Sequence, residues 1–67
     1  MNYDLLKYNL SIKKIQIRDL CKKLNISRSA WNRKTTGRSE FARLEIQKMI
    51  IELDLNQNQV KEIFFNN

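Results

Sequence analysis

Arg28, Ser29, Asn32 and Arg33 are the residues of this chain best suited to chemistry with a partner. If the segment around them is a helix, Trp31 takes its inner face and these four occupy the rest. Such a helix presents polar and cationic side chains and can lie in the major groove of DNA. Something must hold it in place, and the stretch IRDLCKKLNISRSAWNRK, residues 17 to 34, reads as that support. Leu20 and Leu24, four residues apart, mark one face of a preceding short helix. Asn25 follows where a left-handed residue is wanted, and Asn is one of the few that tolerates it. Ile26 plugs inward, and the Ser27 hydroxyl suits the N-cap of the second helix. Two short helices joined by a tight turn read as a helix-turn-helix.

Charge points the same way. Thirteen Lys and Arg against seven Asp and Glu leave a net charge of +6, with no His. Between Lys13 and Lys34 there are eight cationic residues and one acid, Asp19. Cations gathered around one helix pair suit a polyanionic partner. The plainer alternative is a solvated face that keeps a small domain soluble. With 67 residues, the expectation is a single domain spanning 1–67, which buries only about 60% of its unfolded surface. The one cysteine, Cys21, has no internal partner for a disulfide, so the chain is expected to belong in a reducing compartment or to be indifferent to oxidation. The opening MNYDLLK lacks the layout of a secretory signal. The longest aliphatic run, Met49-Ile50-Ile51, is far too short to span a membrane. A cytoplasmic protein without membrane contact is the expectation.

No Pro and a single Gly argue for helices throughout. Ahead of the central pair, Leu5, Leu6 and Leu10 keep helical spacing from Asn2, a cap, to Lys13 and Lys14, whose charges suit that helix's C-terminal end. Ile15 packs in the connection, and Gln16 is a poor cap for the next helix. After the pair, residues 35–39 form a loop with Gly37 at positive φ. Phe41 drops inward. A fourth helix over about Arg43–Leu53 carries the stripe Ile46, Met49, Ile50 and Leu53, with Ala42 giving it a weak cap. Leu55 is buried in the next connection. Asn56 and Gln59 resemble a capping box for a last helix with Val60, Ile63 and Phe64 inward. Trp31, Tyr3, Tyr8, Phe41 and Phe64 are read as core or half-core. The fold class is all-α, with five helices.

Taken together, these features resemble the phage repressor/Cro-type, or lambda-repressor-like, helix-turn-helix domains. LCKKLNISRSAWNRKTTG looks like their LAxxLGISRSxxSRxxNG pattern through Leu20, Leu24, Ile26, Ser27, Arg28, Ser29, Arg33 and Gly37. EIQKMIIELDLNQNQVKEIFF resembles the closing helices of small phage-encoded members in low-GC bacteria. Cys21 stands where the family usually has Ala, and Asn25 where it usually has Gly. Ile17 replaces a frequent phosphate-binding Gln, which leaves Gln16 as the candidate for that contact. Lys34 fills an often aliphatic slot, its stem over the core and its ammonium outward.

The resemblance implies a compact five-helix domain whose second and third helices form the DNA-binding pair. Its base-reading positions fall on Arg28, Ser29, Asn32 and Arg33. Those side chains have the chemistry for it, since Arg bonds bidentately to guanine and Asn to adenine. Ser27 and the amides beside it suit a phosphate oxygen. Thr36, Arg38 and Ser39 resemble the family's backbone-contacting positions, and Arg43, Lys13, Lys14 and Lys34 add charge.

A sequence-specific regulator that occupies operator DNA, with no small-molecule ligand or cofactor, is the first expectation. The second, from a different class, is an antirepressor or modulator that binds another phage or host protein. An enzyme is not expected. There is no His, the acids are scattered, and Cys21 has no base to activate it; ligands for a metal are also lacking. Phe64 and Phe65 cannot both be buried by one helix face. Phe65 is therefore expected at a two-fold contact of a homodimer formed at least on DNA, with folding back on its own monomer as the alternative.

Overall fold

The computed structural model describes residues 1–65. These form α1 (Tyr3–Ile12), α2 (Ile17–Leu24), α3 (Arg28–Thr35), α4 (Arg43–Leu53) and α5 (Gln57–Phe64), with no strand among them. α2 packs on α4 and α3, and α1 packs on α5. Leu6, Leu10, Leu20, Leu24, Trp31, Met49, Leu53 and Ile63 meet in one core. The radius of gyration, 10.8 Å, matches the roughly 11 Å expected of a folded chain this long. No helix among the described residues is long and apolar enough to cross a membrane.

Capping decides where the helices start. The side chain of Asn2 accepts from the Leu5 amide at 3.1 Å, and that of Ser27 from the Ala30 amide at 3.0 Å. Asn56 and Gln59 exchange both bonds of a capping box, at 2.8 and 3.0 Å. α4 begins better than Ala42 suggested, because the Glu45 carboxylate reaches back to accept from the Ala42 amide at 2.7 Å. Ala has no side-chain acceptor, so this is one half of a capping box.

The ends of α1, α2 and α4 follow one scheme. Lys14, Asn25 and Asp54 have φ of 57°, 58° and 50°, in the left-handed region. Each is followed by an apolar residue whose amide donates back to the preceding helix: Ile15 to Leu10, Ile26 to Cys21 and Leu55 to Ile50. This closure satisfies orphan carbonyls while tucking the apolar side chain against the core. Asn and Asp tolerate the conformation; a Lys does so at a cost. Lys14→Gly is therefore expected to raise stability by about 0.5–1 kcal/mol, the strain released less the entropy Gly adds to the unfolded chain. A denaturant midpoint at or below that of the wild type would show that Lys14 carries no strain.

Three placements differ from the sequence expectation. Tyr8 is 60% exposed rather than half-core. Lys13 does not serve its own helix. Its ammonium donates to the carbonyls of Leu53 and Asp54 at the end of α4, which leaves it poorly placed for a phosphate. Asn9, which the leucine spacing gave no reason to single out, is buried on α1. Its amide nitrogen donates to the Leu5 carbonyl at 3.0 Å, while its side-chain oxygen has no partner among the described residues.

Candidate nucleic-acid interface

The α2–turn–α3 unit is built from the core outward. Leu20, Cys21 and Leu24 bury one side of α2, and Ile17 packs half-buried against the same core. The Asn25 turn and the Ser27 cap then launch α3 with Trp31 fully inside. Trp31 lies edge-on between Tyr3 and Phe41, with ring centroids 6.3 and 5.6 Å away. Its indole N–H donates to the Tyr3 hydroxyl at 3.3 Å. These contacts fix the rotation of α3 about its axis.

Trp31 inward leaves Arg28, Ser29, Asn32 and Arg33 exposed. The pairs 28/32 and 29/33 are each four residues apart, so all four side chains share one outward face about two turns long. α3 holds no acidic residue. Among the described residues Arg28, Arg33 and Arg38 have no ion-pair partner, so their donors are open to an anionic ligand. Burial pushes the Cys21 thiol up, with the nearby Arg28 charge pulling less strongly the other way; as a neutral thiol it is a poor nucleophile.

The loop behind α3 is held by backbone bonds. Arg38 and Ser39 amides both donate to the Arg33 carbonyl, at 2.9 and 3.2 Å, around Gly37 at φ 87°. Arg38 is exposed and Ser39 half-buried. Thr36 is exposed, but its hydroxyl donates to the Asn32 carbonyl at 2.7 Å, so its one proton is not offered to a phosphate oxygen, which can only accept. That weakens its candidacy. Arg43 is exposed at the first turn of α4, where a cation opposes the helix dipole and gains from an added anion. Gln16 is exposed just before α2, its side-chain oxygen accepting from Arg18 at 3.1 Å.

Lys34 is a correction. Its ammonium does not reach outward: it meets the Glu45 carboxylate at 2.6 Å and the Glu40 carbonyl at 3.3 Å, beside the Phe41 ring. Both side chains of the ion pair are mostly buried, 15% and 17% exposed. Lys34 is thus a strut between α3 and α4 and not a phosphate ligand. The Glu at the third position of α4 was the one signal that could have found this partner.

Burial raises the Glu45 carboxyl, but hydrogen bonds from Lys34 and the Ala42 amide, with the Lys34 and Lys48 charges, outweigh it and leave the group below its usual range. A carboxylate depressed on folding contributes stability above its unfolded value, about 4.3, and that contribution disappears as pH falls through the lower folded value. Glu45→Gln should therefore be less stable than wild type at neutral pH, with the gap closing in acid. A gap that stays constant between pH 7 and about pH 3 would mean that the charge of Glu45 contributes nothing.

Comparison with protein-family models, curated proteins and solved structures returned no match.

Proposed function

We propose that this chain is a sequence-specific DNA-binding regulator, in which α2 and α3 act as a helix-turn-helix and α3 enters the major groove. The observation that carries this reading is the outward face of α3. Two arginines without carboxylate partners among the described residues, an Asn and a Ser stand together there, opposite a buried Trp31. That is the donor and acceptor set a duplex edge requires. The resemblance to phage repressor/Cro-type domains supports it. In this reading Ser27, Arg38, Ser39, Arg43 and Gln16 contact phosphates around the reading helix, while the Thr36 hydroxyl stays bonded to the α3 backbone. The protein regulates by occupying an operator, in the cytoplasm, without catalysis or a cofactor. Two copies bind the halves of a rough palindrome.

Selection of bound duplexes from a random pool tests this. Enrichment of one palindromic site, with affinity falling as salt rises, is the expected result. Failure to enrich any sequence would overturn the reading and favour the antirepressor or modulator class, where the same cationic face meets a protein.

A further inference from the structure

α1 is apolar on two sides. Leu6 and Leu10 are buried in the core, while Leu5, Tyr8 and Ile12 recur at spacings of three and four on another side, the pattern of a helix-pairing seam. Leu5 is half-buried; Tyr8 and Ile12 are 60% and 53% exposed. The Asn2 amide donates to the Ile63 carbonyl at 2.7 Å and ties the start of α1 to the end of α5. Exposed Phe65 thereby borders the same shallow groove as Leu5. The seam thus extends from Phe65 through Leu5 and Tyr8 to Ile12. By contrast, the exposed Leu44 and Ile51 on α4 are separated by Lys48 on the same side.

We infer that this seam is the contact between two copies of the chain, with their α1 helices packed antiparallel about a two-fold axis near Tyr8. Charge selects this occupant and this direction. Asp4, at the start of α1, has a side chain 97% exposed and only a loose 3.8 Å contact with Lys7. Lys14, just past the other end, is exposed without an ion-pair partner among the described residues. Antiparallel packing brings Asp4 of each copy towards Lys14 of the other and sets opposite helix-dipole ends side by side. Parallel packing would oppose like charges at both ends. A two-fold contact of this kind uses one patch twice, so it closes at the dimer. Phe65 then lies at the margin of the contact rather than forming it alone.

This inference deepens the dimer in the proposed function and rests on it only there, and its test needs no DNA. Sedimentation of the full chain over a concentration series should show a monomer–dimer equilibrium. Tyr8→Lys and Ile12→Lys should each weaken it about tenfold or more, with helical circular dichroism unchanged, whereas Leu44→Lys should not. Asp4→Lys should weaken the dimer, and Asp4→Lys combined with Lys14→Glu should restore it. A wild type that remains monomeric to about 1 mM would overturn the inference. So would a Leu44→Lys effect equal to that of Tyr8→Lys, or a double reversal that restores nothing. A chain that selects an operator yet fails here keeps its DNA-reading function and loses only this interface.

Discussion

Trp31→Ala is expected to leave the domain unfolded or barely folded. The side chain is fully buried, edge-packed on Tyr3 and Phe41, and hydrogen-bonded through its indole nitrogen. Deleting a buried aromatic of this size costs roughly 3–5 kcal/mol, because the surrounding groups cannot close the space. A domain of 67 residues has about 3–10 kcal/mol in total, at roughly 0.05–0.15 per residue. The loss takes between about a third of that and all of it, and the Tyr3 hydroxyl also loses its donor. Trp31→Phe keeps the edge contacts and should fold with a lower midpoint. Urea unfolding followed by circular dichroism reads both variants. An alanine variant with a transition like that of wild type would place Trp31 outside the core and rotate the outward face of α3 away from the residues named here.

Arg28→Ala and Arg33→Ala should fold normally and lose discrimination between an operator and a scrambled duplex. Each side chain is exposed and free of protein partners among the described residues, so no packing is lost. Removing a bidentate guanine contact costs about 1–3 kcal/mol and relaxes preference at one base position. Arg38→Ala should behave differently. It lies in the loop whose amides are bonded to the Arg33 carbonyl, so a phosphate contact there should weaken all sequences alike. The slope of log affinity against log salt should then become shallower by about one unit. Titrations of the three variants at several salt concentrations separate the two roles. Retention of full discrimination by both α3 variants would defeat the base-reading assignment.

The helices were legible because their signals are local. Asn2, Ser27 and Asn56 each carry a cap within three residues, and apolar spacing placed Trp31, Met49, Leu53 and Ile63 inside. The outward side of α3 follows from the position of Trp31 alone. Contacts between distant segments left no such mark. Lys13 meets the end of α4 about forty residues on, and the Tyr3 hydroxyl accepts from Trp31 across 28 positions; charge and amphipathicity do not encode either pairing. Lys34 has the same cause: a flexible cation beside a loop looks like a phosphate ligand until Glu45 is placed next to it. Tyr8, expected as core or half-core, lies on the side of α1 opposite the buried Leu6 and Leu10.

Trp31 is also the single indole of the chain, and its position gives the protein an optical reporter. The ring is shielded from solvent with its N–H held by a tyrosine hydroxyl, on the side of α3 away from the proposed duplex. Its emission should be blue-shifted in the native state and move to longer wavelength when the core opens. A ligand on the outward face of the helix would leave it nearly unchanged. One sample can then report folding through tryptophan emission and complex formation through a label on the nucleic acid, two colours that do not interfere.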